Sequence, residues 1–256
     1  AVYLEEQSGR QYSGAALMHA GIPLPPFTGE YEAYQFAFTE LKEAGALYEK
    51  VQKWCDGNVE KRVVISIYGG SGSGKTTLAT ALQQYFLNDG TGCYLLSGDD
   101  YPHRIPKRND EERLRVYKEA GEDGLRGYLG TKKEIDFDWI NEVLAAFHEG
   151  KDTITLRHLG QEDGEIASEE TDFFGISVLL LEWTHGGSDD LHGVDLSVFL
   201  ESSPEETKER RIRRNRDENA ASPFICSVVE LEQEKLEMQH KNAGLIVGKD
   251  GSVYGQ

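Results

Sequence analysis

Residues Gly69-Gly70-Ser71-Gly72-Ser73-Gly74-Lys75-Thr76 satisfy the pattern G-x-x-x-x-G-K-[ST] at every position. Glycines let a backbone wrap closely around an anion with its amide N–H groups pointing inward. A helix opening directly after such a loop adds its positive N-terminal end. In this pattern Lys75 would reach the β- and γ-phosphates of a nucleotide and the Thr76 hydroxyl would hold Mg²⁺. The flanks agree with the motif. Val63-Val64-Ile65-Ser66-Ile67-Tyr68 reads as a buried strand, and Lys75 to Leu87 as a helix ended by Asn88-Asp89-Gly90. The bland alternative is a Gly/Ser linker, but linkers are not normally set between a buried strand and a helix. The expected ligand is a nucleoside triphosphate, held by Gly70, Ser71, Gly72, Ser73, Gly74, Lys75, Thr76 and Thr77.

The rest of the chain is read outward from that loop. Residues 1–29, with Pro23, Pro25 and Pro26, read as irregular. Tyr31, Tyr34, Phe38, Leu41, Tyr48 and Val51 recur at helical spacing, so Glu30 to Cys55 reads as an amphipathic helix with a break at Gly45. Its apolar stripe is expected to dock on the main domain. This divides the chain into an N-terminal extension, 1–59, and a main domain, 60–256. Further strands are expected at Cys93–Leu96, Thr153–Leu156, Ile176–Leu181, Leu196–Leu200 and Leu245–Val247. Helices are expected at Ile140–His148, 204–217 and Glu230–His240. Strands alternating with helices imply an α/β fold with a mostly parallel sheet covered on both faces.

Composition narrows the partners. The formal net charge is −18, from 45 acidic and 27 basic residues, which argues against bulk binding to nucleic acid or anionic membranes. No apolar run is long enough to span a bilayer, and no leader-like segment opens the chain, so a cytoplasmic location is expected. Cys55, Cys93 and Cys226 are scattered and odd in number, fitting reduced thiols better than a disulfide framework or a zinc site.

Three further segments carry charge where a nucleotide enzyme needs it. Ser97-Gly98-Asp99-Asp100-Tyr101-Pro102-His103-Arg104 follows the second strand, so Asp99 is expected to face the phosphate loop from a strand end. A carboxylate there can take a proton from a hydroxyl or help hold Mg²⁺. Gly-Asp-Asp is also an ordinary turn signal. Residues 208–216 hold six basic side chains in nine positions. They are either a solvated face or a mobile lid (about 204–220) in which Arg210, Arg211 and Arg214 stabilise transferring charge. Glu182 directly follows a buried apolar run, either as an ordinary strand-end acid or as a Mg²⁺-shell ligand with Thr76 and Asp99.

In this order the segments resemble the uridine kinase and phosphoribulokinase family. The resemblance rests on Gly69 to Thr77, Ser97 to Tyr101, Leu179 to Gly186 and Arg210 to Asp217, and covers roughly residues 60–250. It implies a P-loop kinase fold, ATP and Mg²⁺, catalytic roles for Asp99, Lys75, Arg211 and Arg214, and a substrate-side carboxylate matched by Asp138. The sequence departs from the family where Trp183-Thr184-His185 interrupts the Glu-Gly pair. Within the group the chain looks like the sucrose kinase modules of gut bacteria, some of them fused to an α-galactosidase. That likeness implies a small-molecule acceptor, a sugar, and a homo-oligomer or a glycosidase fusion as assembly. Sugar sites need polar side chains and an aromatic face. Tyr101, His103, Arg104, Asp136, Asp138, Arg157, His158, Trp183 and His185 could supply them. The alternatives are a uridine-type nucleoside kinase, an adenylylsulfate kinase, and a nucleotide-dependent switch or ATPase. Neither an Asn-Lys-x-Asp nor an L-S-G-G-Q signature is present.

Overall fold

The structure is a computed structural model that describes residues 2–5, 11–13, 36–39, 42–57, 62–160, 166–202 and 222–255. Its centre is a six-stranded sheet. The strands are β4 (Val63–Gly69), β5 (Cys93–Ser97), β8 (Val178–Trp183), β9 (Leu196–Leu200), β10 (Leu245–Val247) and β11 (Val253–Gly255). Their order is β11-β10-β9-β4-β8-β5. All neighbours are parallel except β11, which runs antiparallel to β10 at the edge.

β4 and β8 are buried along their whole length, which explains their unbroken apolar runs. Strand alternation sends their side chains into two cores. Val63, Ile65, Ile67, Val178 and Leu180 pack with Leu78, Leu82 and Phe86 of α2 (Lys75–Asn88) and with Ala44, Leu47 and Val51 of α1 (Lys42–Asp56). Val64, Leu179 and Leu181 pack on the other face with Ile140, Leu144 and Phe147 of α4 (Phe137–His148). Each such side chain contributes about 1.5–3 kcal/mol on burial. Helix α3 (Pro106–Arg126) and helix α5 (Pro223–His240) pack on each other through Leu125, Val228, Leu231, Tyr117 and Phe224.

The N-terminal reading needs correction. Residues 2–5, 11–13 and 36–39 form strands β1 (Val2–Glu5), β2 (Gln11–Ser13) and β3 (Phe36–Thr39), ordered β2-β1-β3. Phe38 therefore pairs with Tyr3 in an antiparallel register and does not continue a helical stripe. β-favouring Val, Tyr and Phe residues, given a partner strand, outweigh a helical spacing read from one segment. α1 starts at Lys42 and runs through Gly45 without a break. Gly45 is there for contact, since a Cβ would stand 3.2 Å from the Tyr85 hydroxyl. The expected helix at 204–217, and Tyr31 and Tyr34, lie outside the described residues.

Helix α3, the strand at 166–172 and the edge strand β11 were not expected in the main domain. α3 carries few apolar residues and had no stripe to betray it. The strand at 153 is longer than expected and belongs elsewhere: β6 (Thr153–Leu159) pairs antiparallel with β7 (Ile166–Asp172) in a separate two-stranded ribbon, outside the parallel sheet.

Candidate active site

β4 ends in the phosphate loop. A Cβ on Gly69 would come within 2.6 Å of the Leu200 carbonyl oxygen, so only glycine lets the loop leave the sheet between β4 and β9. Gly74 has φ 104° where α2 begins, a left-handed conformation that favours glycine. The Ser73 amide donates to the Gly70 carbonyl at 3.0 Å, closing the loop. Lys75 is buried; its Nζ donates to the same carbonyl at 3.0 Å and lies 4.0 Å from Glu182 Oε1. Thr76 is exposed and Thr77 half-buried in the first turn of α2.

Sheet register sets the other groups beside the loop. Ser97 at the end of β5 pairs with Glu182 of β8, and Glu182 pairs with Ile67, two residues before Gly69. Asp99 therefore emerges at the level of the loop. It sits in a single 3₁₀ turn, Gly98–Asp100, where its amide donates to Ser97 Oγ at 3.3 Å. A cavity of 530 Å³ opens beside it and has both Asp99 and Ser71 of the phosphate loop in its wall.

The deep wall of that cavity is a polar cluster. Glu134 is 1% exposed. Its Oε1 accepts from Asn109 Nδ2 at 2.8 Å and from Arg113 Nε at 2.5 Å, and its Oε2 from the Gly130 amide at 2.6 Å. Burial raises the Glu134 carboxyl, but the Arg113 charge and the Gly130 N–H outweigh it, so its pKa is held below the usual value. Arg113 also lies 3.8 Å from Glu232 of α5. His185 completes the wall. Burial drives its pKa down to about 4 against the pull of the Glu134 charge, so the imidazole is neutral near neutral pH.

The expected substrate residues divide into three groups. Arg104, Trp183 and His185 line the cavity; Arg104 donates to the Tyr128 hydroxyl at 3.1 Å and lies 4.0 Å from Glu112. Trp183 packs under Gly98, where a Cβ would overlap its ring, and so supports the turn that carries Asp99. A second group forms a web beside the cavity. Asp136 caps α4 through the Trp139 amide at 3.1 Å, accepts from Arg157 at 3.2 Å and lies 3.7 Å from His103. Arg157 is buried and faces the Trp139 ring at 5.5 Å. His158 lies 3.6 Å from Asp100, whose other oxygen accepts from the Leu159 amide at 3.0 Å. The third group is apart: Tyr101 is fully buried in the core, and Asp138 is exposed on the first turn of α4. In this chain Asp136, not Asp138, is the carboxylate tied to neighbouring polar side chains. Arg210, Arg211 and Arg214 lie outside the described residues.

Sequence reading passed over Asn109, Arg113, Glu134 and Glu232. The only available signal was the i,i+4 spacing of Asn109 and Arg113, which matters only once α3 is recognised as a helix.

Comparison with solved structures gives the class. Phosphoribulokinase from Rhodobacter spheroides matches with a TM-score of 0.57 at 15% identity, covering 73% of this chain and 69% of that one. D-glycerate 3-kinase from Cryptococcus neoformans matches with a TM-score of 0.56 at 10% identity, covering 86% and 100%. At these identities the likeness is one of fold, and the fold is that of P-loop kinases. The chain belongs to the phosphoribulokinase / uridine kinase family, whose model matches residues 64–222. It is 92% identical over 256 residues to the bifunctional alpha-galactosidase/sucrose kinase AgaSK of Mediterraneibacter gnavus, and spans 27% of that protein's length. A chloroplastic adenylyl-sulfate kinase of Arabidopsis thaliana is 39% identical over 66 residues, 25% of this chain and 24% of that protein. Among the described residues no helix is long and apolar enough to cross a membrane.

Proposed function

We propose that this chain transfers the γ-phosphoryl group of ATP to a hydroxyl of a small neutral sugar, with sucrose as the leading acceptor. One observation carries the reading: a single 530 Å³ cavity has a phosphate-loop residue, Ser71, and the strand-end carboxylate Asp99 in the same wall. A donor phosphate and an acceptor hydroxyl can meet there. Sucrose is favoured by the 92% identity to a bifunctional alpha-galactosidase/sucrose kinase.

In this reading the amides of Gly70 to Thr77 and the Lys75 ammonium hold the triphosphate. Asp99 accepts the proton of the attacking hydroxyl. Arg210, Arg211 and Arg214 close over the transferring group and exclude water, which limits wasteful hydrolysis. The oxygen donors of Thr76, Glu182 and Asp99 fit Mg²⁺, a hard cation that keeps several waters and takes one or two protein ligands plus phosphate oxygens. When bound, the ion would neutralise charge developing on the phosphates. ATP as co-substrate and three free thiols fit a cytoplasmic enzyme.

The test is ADP release from Mg²⁺-ATP with a panel of sucrose, other sugars, uridine, ribulose 5-phosphate and adenylylsulfate. Stimulation by sucrose or a related sugar supports the reading. Stimulation by uridine or adenylylsulfate alone overturns the choice of acceptor.

A further inference from the structure

His185 lies in the cavity wall and is 8% exposed, yet neither ring nitrogen is hydrogen-bonded to any described residue. Its surroundings explain why nothing in the protein answers it. The edge of the ring is packed against Trp183, with centroids 5.4 Å apart and planes at 86°. Gly130 closes on the ring from another side, where a Cβ would stand 2.8 Å from Cε1. The nearby carboxylate, Glu134, already spends both oxygens on Asn109, Arg113 and the Gly130 amide. Packing against Trp183 and Gly130 thus fixes the ring in the cavity wall, with Nδ1 on the Gly130 side and Nε2 farther from it.

The rest of the wall defines what can enter. Among the described residues it carries four carboxylates, Asp99, Asp110, Glu134 and Glu232, against two guanidinium groups, Arg104 and Arg113. Arg113 is engaged by Glu134, and Arg104 by the Tyr128 hydroxyl. A wall of that balance repels an anionic acceptor and tolerates an uncharged one.

We propose that His185 is a specificity-determining residue that hydrogen-bonds a hydroxyl of an uncharged polyol acceptor, and that this wall disfavours phosphorylated acceptors. The proposal rests on the sugar kinase reading and names a residue for it. A neutral imidazole offers one donor and one acceptor, which suits a hydroxyl that is itself both. Burial keeps the ring in that form, with its pKa lowered to about 4.

The experiment measures KM and kcat for sucrose at saturating Mg²⁺-ATP, together with the KM for ATP, in the wild type, His185→Phe and His185→Gln. The expected result is a rise in sucrose KM of about tenfold or more in His185→Phe. A smaller fall in kcat, an unchanged ATP KM, and recovery of most of the acceptor affinity in His185→Gln are expected with it. A merely structural role would not give that split or that rescue. Sucrose KM within about twofold of wild type in both variants overturns the proposal and leaves the sugar kinase reading standing. A wild type that ignores every neutral sugar but turns over ribulose 5-phosphate overturns the reading, and the proposal with it. If His185→Phe loses its cooperative melt, His185→Leu, which also removes both hydrogen-bonding groups, decides: an unchanged sucrose KM there overturns the proposal.

Discussion

The phosphate loop and the cavity beside it form two halves of one site and are built in opposite ways. The loop binds through backbone: its groups are amides, contiguous from Gly69 to Thr76, and its shape comes from glycines where a Cβ would clash or φ is positive. Apart from Ser71, the cavity is built from the segment at 99–104, α3, residues 134–135, Leu159, residues 183–185 and α5. A loop of that kind needs only local chain geometry and one strand to launch it. A cavity of that kind needs the whole fold first. The difference teaches that a phosphate loop is written locally, while the cavity beside it depends on packing between distant elements.

Substitutions can break that contrast or sharpen it. The largest effect is expected where the halves meet. Asp99→Asn should lower phosphoryl transfer about 10²–10⁴-fold while ATP still binds, measured by acceptor-dependent ADP release beside nucleotide titration. Near-normal turnover would remove Asp99 as the base. Next comes Glu134→Ala, which removes the shortest ion pair of the half-buried Arg113, leaving it Glu232 at 3.8 Å, and takes the acceptor from the Asn109 amide; it should cost about 3–4 kcal/mol of stability in chemical denaturation. A loss below about 1 kcal/mol would show that the cluster is not the keystone of the acceptor wall. Glu134→Gln, which keeps the shape, should lose less.

The smallest effect is a pH dependence confined to the cavity. The folded pKa of His185, about 4, lies below its ordinary value of 6.5. Below pH 6.5 the unfolded chain therefore binds a proton that the folded chain refuses, and stability falls as pH drops from 6.5 toward 4. The full difference is on the order of 3 kcal/mol at the acid end. His185→Gln should flatten the melting temperature over that window relative to wild type. Parallel curves for the two proteins would contradict a neutral, buried His185. Because Glu134 is held below the usual carboxylate value, its own loss of stability belongs to pH below about 4.5 and adds little within the window.

The parallel sheet was readable because β4 and β8 are buried on both faces and so appear as unbroken apolar runs. The loop was readable because its chemistry is contiguous, and Asp99 because the sheet rule ties strand ends to ligands. Other parts were hidden for definite reasons. α3 exposes most of its surface and carries no apolar stripe, so Asn109 and Arg113 looked like ordinary charged residues. β3 reads as helix in the sequence because its partner strand, β1, lies far away along the chain. Asp138 matched a family pattern, yet the N-cap geometry turns Asp136 toward Arg157.

By itself, then, the sequence determined an α/β chain with a triphosphate loop and a strand-end carboxylate beside it, since each depends on local backbone propensity and strand order. Only the tertiary structure decided that Glu134, Arg113 and Asn109 lock together, that Tyr101 belongs to the core, and that His185 stands in the cavity wall with no side-chain hydrogen bond to a described residue. Those outcomes depend on which saturated and which unsatisfied polar groups meet when α3, β8 and α5 pack, and no single segment carries that information.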